Sequence, residues 1–154
     1  MKKYIICSRL LNPDFYETRP LHALCKILND MGQQAYMLYP AGQIIFNEYN
    51  LPIMTLMSAC HSIYYNDDIV IYPNNFKGNY LNAKNIVRFV LNDDVRSKYP
   101  TKERLYYFDE KFMKKNTNKN ATKLFYPITE MPSDNKTAFE MGESVERFIR
   151  ETQC

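Results

Sequence analysis

Short apolar runs alternate along this chain with segments whose apolar residues recur at helical spacing. Residues 3–8 (KYIICS) are apolar and predict a buried first strand. Pro20 suits the first turn of a helix, and Gly32 is placed to end it. Between them, one helical face carries the apolar residues Leu21, Leu24, Cys25, Leu28 and Met31. Residues 34–39 (QAYMLY) predict a second strand, so this β-α-β order predicts two parallel strands joined by a right-handed crossover.

The segment 68–92 (DIVIYPNNFKGNYLNAKNIVRFVLN) predicts a strand, a polar turn and an amphipathic helix in succession. Residues 69–72 are the predicted strand, and the turn after them is rich in Pro, Asn and Gly. The helix is predicted from the apolar face formed by Ala83, Ile86, Val87, Val90 and Leu91, with Lys84 and Arg88 off that face. The residues before this segment, 43–66, are apolar only in patches, and we interpret them as a connection carrying short structure.

Three further elements are predicted downstream. Residues 104–108 (RLYYF) and 123–126 (KLFY) read as strands, and residues 135–151 as a helix whose core positions are Ala138, Met141, Val145, Phe148 and Ile149. Strands separated by helices predict an α/β fold, a Rossmann-like three-layer domain with a mostly parallel sheet flanked by helices. A length of 154 residues fits a single domain spanning 1–154.

Composition and charge limit the classes of partner that the chain is expected to bind. The chain is 45% hydrophobic with a net charge of +3, which is too slight to indicate nucleic-acid binding. Its one basic run, 111–123 (KFMKKNTNKNATK), is either a solvated loop or a contact to phosphate or a peripheral membrane surface. No membrane-spanning run or signal peptide is evident, so we expect a cytoplasmic protein, with membrane-peripheral attachment as the alternative.

The sequence offers no motif that identifies a catalytic residue. A GxSxG elbow, a P-loop, HExxH and GxGxxG are all missing, and the chain has only 4 glycines. The cysteines form no CxxC pair, so their spacing gives no support for a zinc site. We therefore predict no metal site and no cofactor.

Polar residues follow two predicted strands, where open α/β sheets bind ligands. The third predicted strand is followed by Asn74, Asn75, Gly78 and Asn79. Asn side chains hydrogen-bond sugar hydroxyls and Gly lets a backbone approach a ligand, but the same residues are also common in turns. Asp109 and Glu110 follow the fourth predicted strand. They either hold a base or bind hydroxyls, or they form an exposed turn.

The start of the first predicted helix is a second candidate site. His22 lies in the first turn and Arg19 just before it. Helix amino termini attract anions through their free N–H groups, and an arginine adds a charge-assisted contact. The alternative is that His22 is an ordinary surface or half-buried helix residue.

Several of these segments together resemble the amino-terminal half of retaining GT-B glycosyltransferases of family 4. The resemblance rests on DIVIYPN (68–74), GNYLNAKNIVRFVLN (78–92), YYFDE (106–110) and HALCKILNDMG (22–32), and it covers about residues 3 to 112. Each motif is a loose pattern, so the specificity comes from the length of the match. The resemblance implies a Rossmann-like acceptor-side domain of an enzyme that transfers a sugar from a nucleotide sugar.

The resemblance also has departures. In the family a glycine-rich loop after the first strand helps bind donor phosphates, whereas this chain has Asn-Pro-Asp at 12–14. The family's donor site lies mostly in a carboxyl-terminal domain with paired glutamates, which has no counterpart here. The resemblance therefore implies catalysis only with a second GT-B domain or subunit.

Three hypotheses remain open at the level of sequence. The chain is the acceptor-side half of a glycosyltransferase, a non-catalytic module that binds a sugar or a protein, or an unrelated α/β domain. The first implies a nucleotide-sugar donor, a sugar or lipid-linked acceptor, no nucleic acid, and a homo-oligomer or hetero-oligomer. Its predicted substrate-binding residues are Asn12, Arg19, His22, Asn74, Asn75, Gly78, Asn79, Asp109 and Glu110.

Overall fold

A computed structural model describes residues 1–9, 18–40, 50–92, 102–113, 121–124 and 135–154. Ten elements follow one another in these described ranges. They are β1 (Tyr4–Cys7), α1 (Thr18–Asp30), β2 (Ala35–Leu38), α2 (Leu56–Asn66), β3 (Ile69–Pro73), β4 (Asn85–Val90), β5 (Arg104–Tyr107), α3 (Glu110–Met113), β6 (Thr122–Lys123) and α4 (Asn135–Gln153).

The six strands form one sheet in the order β2-β1-β3-β4-β5-β6, and every neighbouring pair is parallel. β1 lies inside the sheet, where Ile5 is paired with Tyr36 of β2 on one side and Val70 of β3 on the other. The α/β, Rossmann-like prediction with a mostly parallel sheet is therefore confirmed.

The sheet is buried on both faces, because side chains alternate from one face to the other along each strand. One core contains Ile6, Ile71 and Phe89 together with apolar residues of α1 and α4. The other contains Ile5 and Val70 together with residues of α2 and of the 74–84 segment. Each fully buried Leu or Ile stabilises the fold by about 2 kcal/mol. The result is three layers, with the sheet in the middle.

The predicted helix after β3 is wrong, because residues 85–90 form strand β4. Val87 and Phe89 face one core while Ile86 packs on the other. A strand buried on both faces is a nearly continuous apolar run, which periodicity does not distinguish from a buried helix. Residues 74–84 therefore form the crossover between two parallel strands, β3 and β4. This crossover covers the sheet where a helix was predicted, and it buries Leu81 and Ala83 on the same face as α2.

The segment interpreted as a connection contains a regular helix, α2. Thr55 caps its amino terminus by accepting a hydrogen bond from the backbone N–H of Ser58 at 3.2 Å. Asp67 ends it in the left-handed region with φ 52°. Residues 43–49 of the same predicted connection lie outside the described residues.

The predicted last helix is confirmed as α4, which packs on the same sheet face as α1. Val145 and Phe148 are buried as predicted, and the Phe148 ring lies 5.8 Å from that of Tyr4 and 4.9 Å from that of Tyr106. The Tyr4 hydroxyl hydrogen-bonds that of Thr152 at 2.7 Å. α4 thereby closes the sheet from β1 to β5. The predicted strand 123–126 is represented by β6, and its last two residues lie outside the described residues.

Candidate functional site

The connections of the sheet diverge between β1 and β3. The chain leaves β1 for α1 on one face and reaches β3 from α2 on the other. Open parallel sheets bind ligands in the crevice at such a switch point, outside the carboxyl ends of the strands. The predicted residues after β3 and β5 lie at this carboxyl edge, as does the start of α1. β3 and β5 are separated by β4, which places their ends about 10 Å apart.

Asn74 follows β3 and fastens it to the end of β4. Its side-chain oxygen accepts a hydrogen bond from the backbone N–H of Leu91 at 2.9 Å, and its amide nitrogen donates to the side-chain oxygen of Asn92. The backbone N–H of Asn74 donates to the carbonyl of Phe89 at 2.9 Å. Asn74 is 0% exposed. Its polar groups are used to hold the carboxyl edge together, and the prediction that it binds substrate stays a prediction.

Asn75 differs from its neighbour in one respect. Its side-chain oxygen is buried and accepts no hydrogen bond from the residues that the structure describes, although the residue as a whole is only partly buried. A buried acceptor without a donor costs about 1–3 kcal/mol. Asn75 therefore holds a buried acceptor without a donor at the carboxyl end of β3, in the loop where the sequence predicts a ligand contact.

Gly78 and Asn79 organise the crossover between β3 and β4. Gly78 has φ 77°, which favours glycine. The Asn79 side-chain oxygen accepts from the Tyr72 hydroxyl at 3.2 Å and from the backbone N–H of Ala83 at 3.0 Å. Its amide nitrogen donates to the Ala83 carbonyl at 2.8 Å. Asn79 thus folds the turn at 79–83, and its predicted contact with substrate remains untested.

Arg88 lies in an environment very different from the one that the sequence predicts. It was predicted off the apolar face of a helix, but it points from β4 into the core and is 1% exposed. Its guanidinium forms a double hydrogen bond with the Glu103 carboxylate, at 2.8 and 2.7 Å. It also donates to the carbonyls of Phe76 and Gly78, and it lies 4.9 Å from the Tyr72 ring centroid. One buried cation therefore anchors the crossover that carries Asn75.

His22 is a core residue, 0% exposed. Its Nδ1 lies 2.6 Å from the Thr18 carbonyl and its Nε2 lies 2.9 Å from the Tyr39 hydroxyl. Because a carbonyl only accepts, Nδ1 carries the hydrogen and Nε2 accepts from Tyr39. Burial lowers the pKa of His22, against the opposing effect of the Thr18 hydrogen bond. The neutral ring joins α1 to the end of β2, and its predicted ligand contact stays a prediction.

The other predicted residue at the start of α1 is Arg19, which is half-buried in the first turn. Asn12 lies outside the described residues, so its predicted role is not addressed by the structure. The anion site predicted at the start of α1 therefore has Arg19 as its charged group among the described residues. His22 adds no positive charge, because its ring is neutral.

Asp109 and Glu110 follow β5, and each is paired with a lysine. The Asp109 carboxylate accepts from the backbone N–H of Lys111 at 3.0 Å and pairs with its ammonium at 3.1 Å. These contacts lower the pKa of Asp109, the backbone hydrogen bond most of all. Glu110 pairs with Lys123 at 3.1 Å. Lys111 and Lys123, at the two ends of the basic run 111–123, supply the counter-charges of these two carboxylates.

The described ranges contain neither a candidate metal site nor a helix that could span a membrane. Those residues contain no group of three His, Cys, Asp or Glu side chains arranged to hold a metal ion. No helix among them has the length and apolar character needed to cross a bilayer. Comparison with known proteins adds no relative, since no protein-family model, curated protein or solved structure matches this chain.

Proposed function

We propose that this chain is the acceptor-side half of a glycosyltransferase, which binds sugar hydroxyls at the carboxyl edge of its sheet. The sugar to be transferred would come from a nucleotide sugar held by a second domain or subunit. The single observation that carries this proposal is the unused, buried oxygen of Asn75 beside the switch point of the sheet.

The chemistry of that edge suits a hydroxylated ligand. A sugar O–H donating to the Asn75 side-chain oxygen would restore the hydrogen bond that this buried acceptor lacks. The ionised Asp109 carboxylate, two strands away, is a further acceptor for hydroxyl donors. Both groups accept hydrogen bonds, which matches a ligand rich in O–H groups better than an anionic ligand.

The proposal includes a second half, because the described helices and strands form one three-layer unit around a single sheet. α4 packs on the same sheet as α1 and its end is bonded to residues near β1, such as Lys2. In this proposal the described elements would supply one wall of the cleft that holds the substrates. A two-domain glycosyltransferase mechanism requires a facing wall for the nucleotide sugar.

Calorimetric titration with a panel of sugars and nucleotide diphosphate sugars tests this function. We expect free sugars to bind the isolated chain and no nucleotide sugar to be hydrolysed. Asn75→Ala should weaken sugar binding about tenfold, because the acceptor is lost. Asn66→Ala is the matched control, since Asn66 is exposed at the end of α2. Failure of every sugar to bind, or equal loss in both variants, would reject the proposed site.

A non-catalytic protein-binding module is the second candidate, and one observation favours it. The outer face of α2 is uncharged and rich in large apolar side chains, with Met57 84% and Tyr64 76% exposed. Exposed apolar faces of this kind are typical of protein contacts. Sedimentation of the wild-type chain and of the double variant Met57→Ser with Tyr64→Ser separates the two candidates. Self-association of the wild type that is lost in the variant favours the protein-binding module, provided that neither protein binds a sugar.

A further inference from the structure

A cavity of about 120 Å³ lies at the amino edge of the sheet, at the opposite end of the strands from Asn75. Two of its lining residues, Ile69 and Val87, are apolar and only 1% and 2% exposed. Three cationic side chains line it, together with Thr152 of α4. The cations are Lys84, Lys102 and Arg104.

The three cations come from two separate stretches of chain. Lys84 precedes β4, whereas Lys102 precedes β5 and Arg104 begins it. The parallel pairing of β4 with β5 brings them together, because it places Arg104 beside Val87. No motif in the sequence links residues 84 and 102–104, so the cluster is a product of the fold.

The positive charge of this cavity is only partly neutralised. Lys84 pairs with Asp67 at 2.7 Å. The Lys102 ammonium has no hydrogen bond or ion pair with any residue in the described part of the chain. Arg104 donates to a backbone carbonyl, that of Glu151, which leaves its charge uncompensated.

The neighbouring carboxylates are engaged elsewhere. Glu103 binds the buried Arg88. Glu151 accepts from the Tyr106 hydroxyl at 2.6 Å and lies 3.9 Å from Arg147. Asp68 does not line the cavity, and one of its oxygens accepts from the backbone N–H of Lys3 at 2.9 Å. The cavity therefore has three cations against one contacting carboxylate, that of Asp67.

We propose that this cavity binds a phosphate group, carried by a soluble ligand or by a lipid headgroup. Lysine and arginine give strong charge-assisted hydrogen bonds to phosphate oxygens. A cavity of about 120 Å³ offers the volume of several waters, enough for a group with four oxygens. This site stands independently of the sugar site proposed for the carboxyl edge.

Titration of the full chain with inorganic phosphate and pyrophosphate at low ionic strength tests the proposal, since salt screens such contacts. Lys102→Gln and Lys84→Gln should each weaken binding about three- to tenfold. Lys26→Gln removes one exposed lysine of α1 and should leave the affinity unchanged. An equal loss with Lys26→Gln would overturn the proposal, because binding would then depend on net charge alone.

Vesicles of phosphatidylcholine with and without phosphatidic acid identify the source of the phosphate. Binding to free phosphate assigns a soluble ligand, and binding only to the phosphatidic acid vesicles, lost in Lys102→Gln, assigns a lipid headgroup. Binding to neither overturns the proposal. Amide resonances of Asn85 and Val87 in the wild-type chain give a readout that needs no variant, since phosphate should shift them. Binding that leaves both resonances in place would also reject this cavity.

Discussion

The Arg88 guanidinium and the Glu103 carboxylate form a doubly hydrogen-bonded ion pair with side chains only 1% and 4% exposed. It joins β4 to the residue that precedes β5. The same guanidinium donates to two carbonyls of the 74–84 crossover. The placement of Asn75 at the carboxyl edge therefore depends on a charge pair in the core.

Replacing Glu103 by Gln should destabilise the protein by about 3 kcal/mol, because it leaves the Arg88 charge buried without its counter-charge. Urea unfolding monitored by circular dichroism measures the change. The double variant Arg88→Met with Glu103→Leu should be more stable than Glu103→Gln, because no uncompensated charge remains in it. A cost below about 1 kcal/mol for the single variant would show that the pair does not carry the crossover.

The pH dependence of stability should contain a contribution from His22. Burial lowers its pKa in the folded state, whereas the unfolded chain has the ordinary value of about 6.5. Below that pH the unfolded state binds a proton that the folded state does not. Stability contributed by the neutral ring is thus present at higher pH and is lost as pH falls below about 6.5, at up to about 1.4 kcal/mol per pH unit.

Urea unfolding at about pH 7.5 and about pH 5.5 isolates this contribution when the wild-type chain is compared with His22→Gln. The variant should lose less stability than the wild type over that interval. His61→Gln is the matched control, because His61 is exposed on α2. If His22→Gln and the wild type lose the same amount, the buried neutral ring is not the source of the pH dependence.

The sequence predicts most elements of the fold, including the interior strands β1 and β3, but it predicts neither β4 nor α2. The amphipathic pattern from Pro20 to Gly32 gave α1 correctly, since one of its faces is exposed. The sequence predicts a helix at the position of β4, because Ile86, Val87 and Val90 also fit helical spacing. A central strand covered on both faces has no polar side to reveal its period.

The site residues illustrate the same limit. Residue type and position placed Asn74, Asn75 and Asn79 in one loop, but not the division of labour among them. The side chains of Asn74 and Asn79 hydrogen-bond the backbone of Leu91 and Ala83, respectively. The side-chain oxygen of Asn75 has no such partner among the described residues. Such partners are set by tertiary pairing. The one signal that hinted at a buried Arg88 was its place inside an apolar run, NIVRFV.

Asn79→Ala should destabilise the protein by about 1–2 kcal/mol, because it leaves the N–H and carbonyl of Ala83 without their side-chain partners. Asn75→Ala is the comparison within the same loop. It removes an acceptor that has no donor, so its stability should be unchanged or slightly higher. Thermal unfolding of both variants measures the difference. Equal destabilisation by the two substitutions would contradict the distinction between a structural and a ligand-binding asparagine.

Thiol labelling should separate the four free cysteines into two pairs. Cys7 and Cys25 are buried, and burial raises the pKa of each thiol to about 12, so at about pH 8 only about one in ten thousand of either is the reactive thiolate. Cys60 and Cys154 are exposed. Pulse labelling with iodoacetamide followed by mass spectrometry should therefore modify Cys60 and Cys154 in the native protein, and all four after addition of urea. Cys25 lies between α1 and the sheet, whereas Cys7 of β1 lies on the face covered by α2, so their protection reports on the packing of the two faces separately. Labelling of Cys7 as fast as Cys60 in the native state would mean that the core beside the switch point is open to solvent.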